Sequence, residues 1–169
     1  MFVIVAAIGK NGELGKSGDL VWHLADDMRF FRQTTSGGKV LMGRRTWESL
    51  PVRKDGFRKL ADRWNIVVAD SAFEGDFDEL VTDLDGFIAE NRSSSERIFV
   101  IGGGSIYEQL LPFAREIYLT EIKAEDNAAD VYFAEFNKSD YDREILGDGV
   151  DEKSGIKYEF VKYLRKDKI

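Results

Sequence analysis

Asp27 stands in the run Trp22-His23-Leu24-Ala25-Asp26-Asp27-Met28-Arg29-Phe30-Phe31-Arg32-Gln33-Thr34-Thr35, where packing gives no reason for an acid. If the run is a helix, residues 24, 28, 31 and 35 form one buried stripe. Asp27 lies on the edge of that stripe, and Asp26 points to the opposite, solvated side. A carboxylate pressed against Leu, Met and Phe loses hydration, its pKa rises, and it persists only where something polar meets it. A ligand with adjacent N–H donors would serve. An acid near a helix start can also complement the helix dipole and cap free N–H groups, so Asp27 alone does not decide the matter.

Two glycine turns offer anion-binding chemistry. Gly102-Gly103-Gly104 follows the apolar run Ile98-Phe99-Val100-Ile101 and leads into a helical stretch from Ser105 to Leu111, before Pro112. Strand, tight turn and helix start present backbone N–H groups to a phosphate, although the triple glycine is not the spaced dinucleotide fingerprint. Gly43-Arg44-Arg45-Thr46 repeats the arrangement after the run Lys39–Met42, adding two guanidinium forks and a hydroxyl. Two strand-end anion sites suggest one long ligand with two phosphate positions. A dinucleotide carrying an extra phosphate fits.

The elements that must position these groups are legible as apolar runs. Phe2–Ile8 reads as a strand buried on both faces. Residues 9–21 hold four glycines and read as a mobile loop. Further strands are expected at 39–42, 64–69, 80–82, 98–101 and 117–122, with helices at 24–35, 43–50, 84–90 and 105–111. Asp83 is placed to cap the third helix. The tail, 141–145 and 157–164, alternates as an antiparallel pair across a loop at 147–155.

Composition excludes several classes. With 169 residues and 43% apolar content the chain builds one well-filled core. It has no Cys and one His, which removes disulfides and thiol catalysis and argues against a metal site. A net charge of −7 disfavours nucleic acid and acidic membrane as partners. No stretch approaches membrane-spanning length, and a cytoplasmic protein is the expectation. One basic island, Arg44 to Arg63, sets seven cations against three acids, and a small anionic ligand would suit it.

These residues bring a resemblance into view. The blocks Val5-Ala6-Ala7-Ile8, Leu14-Gly15, Trp22-His23-Leu24 with Asp27-Met28 and Phe31, and Val40 through Leu50 resemble dihydrofolate reductase. So do Asn65-Ile66-Val67-Val68, Val100 through Gly104 with Ile106-Tyr107, Tyr118-Leu119-Thr120, and Asp130 with Phe133, in family order over about four-fifths of the chain. The resemblance implies an α/β fold: a single three-layer domain, 1–169, with a mixed, mainly parallel sheet of about eight strands flanked by helices. It implies NADPH-dependent reduction of dihydrofolate by a monomer.

By the same resemblance, Asp27 binds the pteridine and promotes protonation of N5, with Thr120 supporting it. Val5, Ala6, Met28, Phe31, Leu50 and Ile101 wall the pocket, Leu60 packs the benzoyl ring, and Arg63 grips the carboxylate of the glutamate tail. Gly43, Arg44, Arg45 and Thr46 hold NADPH phosphates, and Ile101, Gly102, Gly103, Gly104, Ser105, Ile106 and Tyr107 hold its pyrophosphate side. Ala7, Leu14, Gly15 and Leu20 line the cofactor as the 9–21 loop closes, with Asp130 fastening that loop and a cis bond at Gly102-Gly103. The chain departs from the family where Val21 replaces a usual Pro, Ala61-Asp62 a usual Pro-Gly, and Ala69-Asp70-Ser71 a Ser or Thr beside a basic residue. A pyrimidine reductase sharing this fold, or a pterin-binding module without catalysis, remains an alternative at this point.

Overall fold

A computed structural model describes residues 1–167; the last two residues of the expected domain, 168 and 169, lie outside the described residues. The apolar run at the start forms β1 (Phe2–Ile8). Its side chains alternate between two cores, as strand geometry requires. Phe2, Ile4 and Ala6 join one apolar cluster, and Val3 and Val5 join another. Both faces of the sheet are therefore covered, which is why the strand reads as a continuous apolar run.

After β1 come β2 (Glu13–Lys16), β3 (Asp19–Leu20), α1 (Ala25–Thr35), β4 (Lys39–Gly43), α2 (Arg44–Ser49), β5 (Trp64–Val68) and β6 (Glu79–Val81). There follow α3 (Leu84–Asn91), β7 (Ile98–Gly102), α4 (Gly104–Leu110), β8 (Ala114–Ile122), β9 (Val131–Tyr132), β10 (Tyr141–Val150) and β11 (Lys157–Arg165). The main sheet runs β10-β11-β8-β1-β7-β4-β5-β6. Every pair from β8 to β6 is parallel, and β11 pairs antiparallel with both β8 and β10. This is the expected mixed, mainly parallel sheet of eight strands.

Helices α3 and α4 cover the first face through Leu84, Phe87, Ile88, Ile106, Tyr107 and Leu110. The second face is covered by α1 and α2 through Phe31 and Trp47. Asp83 caps α3 as expected, accepting a hydrogen bond from the Gly86 N–H at 3.0 Å. Ile117, on β8, is fully buried in the first core. Ile117→Ala is expected to lower the free energy of unfolding by about 2–5 kcal/mol, measured by urea titration, because the helices over it can only partly collapse into the gap.

Three expectations are corrected. Residues 9–21 are not a plain loop, since β2 and β3 lie within them and pair with each other, and β2 also pairs with β9, in a small second sheet. Strands of two to four residues carry no readable period, so only pairing reveals them. The tail hairpin is longer than its alternation suggested: β10 runs on to Val150, with a bulge between Ile145 and Gly147. Gly149 belongs inside the strand, because a Cβ there would collide with the Tyr158 ring. Finally, the stripe on α1 is not uniformly buried. Thr35 and Asp27 are buried, but Met28 is 41% exposed.

Candidate active site

Four parallel strands bring their carboxyl ends together, the place where open α/β sheets bind ligands. Ala6 and Ala7 lie toward the end of β1, Gly43 ends β4, Ile101 and Gly102 end β7, and Thr120 lies toward the end of β8. Thr120 is held between Ala7 of β1 and Phe160 of β11.

Asp27 is 9% exposed, and its one protein donor among the described residues is Thr120, whose hydroxyl reaches Oδ1 at 2.6 Å. No side chain caps α1, so Asp27 is not there to close the helix start. Burial raises the Asp27 carboxyl above its ordinary value, and the Thr120 hydrogen bond partly offsets that rise. Oδ2 is left for a ligand donor. Nearby, the buried Tyr107 hydroxyl donates to the Val5 carbonyl at 2.7 Å and ties α4 to β1. Burial, reinforced by the Asp27 charge, pushes the Tyr107 phenol far above its usual value, so it remains a neutral donor.

The two glycine turns prove to be one shelf rather than two separate sites, because β4 and β7 are neighbours and Met42 pairs with Gly102. A Cβ on Gly43 would stand 3.1 Å from Ile106 and 3.9 Å from the Gly103 nitrogen. Thr46 Oγ1 lies 3.4 Å from where a Cβ on Gly103 would project. Gly102 has a φ of 126°, a conformation that favours glycine, and the Gly102-Gly103 bond is cis as the resemblance implied. The start of α4 has no side-chain cap, so its N–H groups remain available. Ser105 is exposed beside them. Leu14, Ile106 and Tyr107 belong to the first core and serve packing as well as any ligand.

Several cations of the basic island have partners within the protein. Arg44 donates to Glu48 at 2.8 Å and stacks over Phe73, with 4.3 Å to the ring centroid. Arg53 pairs with Asp55, Lys59 pairs with Asp78 at 3.0 Å, and Arg58 is spent on the Glu48 and Leu50 carbonyls. Arg45 is exposed and has no ion pair among the described residues. Arg63 is half-buried; it donates to Thr35 Oγ1 at 3.0 Å and to the Ala61 carbonyl at 2.9 Å, and it too has no carboxylate partner among the described residues. Burial works against its charge, and neighbouring Arg32 adds to that, against Asp62. An oriented, underpaired guanidinium has N–H donors that could receive a carboxylate. Phe31, Leu50 and Leu60 pack together with Val5 and Ile101 on this side of the sheet.

Segment 9–21 lies against segment 123–133. The Asp130 carboxylate accepts the Ser17 N–H at 2.9 Å, and the Asp130 N–H donates to the Gly15 carbonyl. Leu20, on the same segment, is exposed.

Two features lay beyond the sequence reading. The Trp22 indole N–H is buried without a hydrogen-bond partner, packed with Ala7 and Leu24. A buried donor of that kind is satisfied by a water or a ligand. Its place ahead of the Asp27 helix was the available signal. Asp26 is not merely solvated: it accepts from the Tyr158 hydroxyl and from Arg29. Nothing in residues 26 and 158 taken singly announces that contact.

A cavity of about 280 Å³, lined by Met1, Arg92, Phe113 and Arg165, lies at the amino ends of the strands and touches none of these groups. No cluster of three or more His, Asp or Glu able to hold a metal occurs among the described residues, nor a helix long and apolar enough to cross a membrane.

The family model for dihydrofolate reductase matches residues 1–165. The dihydrofolate reductase of Bacillus subtilis is 37% identical over 171 aligned positions, covering 99% of this chain and 96% of that protein. The Haemophilus influenzae dihydrofolate reductase is 34% identical, covering 85% of each chain. A solved structure of dihydrofolate reductase from Enterococcus faecalis, complexed with NADP(H) and RAB-propyl, superimposes with a TM-score of 0.85 at 26% identity, covering 99% of this chain and 97% of that one.

Proposed function

Because the chain belongs to the dihydrofolate reductase family, we propose that it reduces 7,8-dihydrofolate to 5,6,7,8-tetrahydrofolate, with Asp27 as the one acid that touches the reacting ring. The observation that carries this reading is the Asp27–Thr120 pair: a buried carboxylate, raised in basicity, with one oxygen satisfied and the other open. Such a group accepts from the 2-amino group and N3 of a pteridine and favours arrival of a proton at N5. The raised carboxyl keeps a proton available closer to neutral pH than a solvated aspartate would.

The residues present fit NADPH. Gly43 and Gly102–Gly104 form a backbone shelf where side chains would intrude, with Thr46 beside it. Arg44, Arg45, Thr46 and Ser105 would hold the phosphates, with Ala7, Leu14, Gly15, Leu20, Ile101, Ile106 and Tyr107 alongside. When bound, NADPH supplies the hydride that reaches C6. The chain contributes alignment, exclusion of water and the Asp27 carboxylate. Val5, Ala6, Met28, Phe31, Leu50 and Ile101 wall the substrate, Leu60 packs its benzoyl ring, and Arg63 binds the tail carboxylate. The site so assembled would need no residue from a second copy, and we take the chain to act as a monomer.

The direct test follows the NADPH absorbance band on adding dihydrofolate, and repeats it with NADH and with a pterin lacking the glutamate tail. Oxidation of NADPH is expected, and none would overturn the reading. Within the phosphate set, Arg45 is the fork free to meet a 2′-phosphate, since Arg44 is held by Glu48 and Phe73. Arg45→Leu is expected to cut the preference for NADPH over NADH by about tenfold to a hundredfold, the worth of one or two charge-assisted hydrogen bonds. Comparison of kcat/KM for the two cofactors checks it.

A further inference from the structure

We propose that Glu13 is a positioning residue: a buried pin that fixes segment 9–21 against segment 123–130 and so holds the loop in the arrangement hydride transfer needs. This inference rests on the dihydrofolate reductase reading.

Glu13 is 1% exposed and takes no part in the chemistry described above. Its Oε2 accepts the Asn11 N–H at 2.9 Å, and its Oε1 accepts Asn11 Nδ2 and the Asp126 N–H, each at 3.3 Å. Burial pushes this carboxyl up, but the hydrogen bonds, including one from its own backbone N–H, outweigh that and hold it below the ordinary range. Every partner is a donor, so only an acceptor with no N–H of its own satisfies the set. The backbone makes room for it: a Cβ on Gly9 would run into Oε2. One carboxylate thus bridges two segments that are far apart in sequence.

Backbone hydrogen bonds also join the segments, from the Lys10 N–H to the Ala124 carbonyl and from the Asp130 N–H to the Gly15 carbonyl, but the other side-chain ties are weaker in kind. Lys16 and Asp126 pair at 3.2 Å on the surface, and Ser17 meets Asp130 in the open. Water competes for both. Of these three side-chain links, only that of Glu13 is shut away from solvent. Along β2 its neighbour Leu14 projects to the opposite side, into the core that contains Ile106 and Tyr107. Fixing Glu13 therefore fixes how Leu14, Gly15 and the rest of the loop approach the glycine shelf.

Removing the Glu13 carboxylate leaves the Asn11 and Asp126 donors without their acceptor, so some stability is lost whichever role the residue has. Below the melting range, however, a purely structural role leaves the reaction untouched. A positioning role and a structural role therefore predict different results for Glu13→Leu and Glu13→Gln in the full chain. Both variants are expected to fold and to melt below the wild-type temperature, so the comparisons are made well under their melting range. Amide exchange over residues 9–21 and 123–130 is expected to quicken by about tenfold or more as the local opening becomes easier. Single-turnover hydride transfer is expected to slow by about tenfold to a hundredfold, as misplaced reactants do, with a larger deuteride isotope effect on kcat and unchanged dihydrofolate affinity. Gln is expected to behave like Leu, because its amide turns a donor toward donors.

Wild-type exchange and single-turnover rates in either folded variant would overturn the proposal. If Glu13→Leu fails to fold, Glu13→Gln decides. If wild-type protein does not oxidise NADPH with dihydrofolate, the functional reading falls and loop exchange alone decides the pin.

Discussion

Replacing Asp27 by Asn is expected to lower kcat for dihydrofolate by on the order of 10²- to 10⁴-fold near neutral pH, the usual worth of a positioned acid or base. Asparagine can still accept from Thr120, so the local structure survives. NADPH affinity, measured by fluorescence titration, is expected to be unchanged, because Asp27 lies on α1 and off the glycine shelf. The residual rate is expected to rise as pH falls, since solvent acid takes over what the carboxyl supplied. Turnover like that of the wild type would sink the assigned role.

The same variant carries a stability signature whose direction follows from burial. Asp27 titrates above its ordinary value of 3.8 in the folded chain, so folding favours its neutral form. Well below 3.8 wild type and variant both lack the charge there and should melt alike. As pH rises through the unfolded and then the folded value, the wild type alone acquires a poorly hydrated carboxylate, and its stability drops relative to the amide. Asp27→Asn is therefore expected to melt higher than wild type at pH 7, with the gap closing in acid. A variant that melts below wild type at pH 7 would contradict the burial argument.

The second large effect is expected at Arg63. Arg63→Leu should raise KM for dihydrofolate by between about 30-fold and about 10³-fold, the cost of leaving one member of a desolvated charge pair without its partner. The kcat should stay within a few-fold, because the tail is remote from the bond that changes. A pterin without the glutamate tail discriminates, since its KM should not respond to the substitution. Equal losses for both substrates would mean that Arg63 acts through Thr35 and the shape of α1 rather than through the tail.

What the sequence made legible was whatever one segment decides for itself. β1, β4, β5 and β7 are apolar because both their faces are covered, and each is found within a residue or two of its expected place. Asp83 caps α3 through a neighbour three residues on. The features that escaped depend on partners remote in the chain. β9 has two residues and exists only by pairing with β2. Glu13 sits among glycines and resembles a solvated loop acid until the Asp126 N–H, 113 positions away, is brought to it. Asp26 reads as solvated until Tyr158 arrives from 132 positions downstream. Within the basic island, sequence shows the charges but not the carbonyls and acids that occupy Arg53, Arg58 and Lys59. The shelf formed by Gly43 and Gly102–Gly104 was visible in its two halves, but their adjacency follows from strand order, which composition does not reveal.

Strand order also sets when the protein can become competent. Thr120, the partner of Asp27, is flanked on its outer side by Phe160 of β11. The helix carrying Asp27 leans on that same strand: Phe30 stacks on Phe160 with ring centroids 4.3 Å apart, and Asp26 takes the Tyr158 hydroxyl. A ribosome that has released residues 1–156 has already delivered Asp27, Thr120, Arg63 and both glycine turns, but not the strand on which Phe30 and Asp26 of α1 rest. The acid is thus among the first groups made and among the last to be set, and a nascent chain arrested before β11 should fail to retain a folate-like ligand.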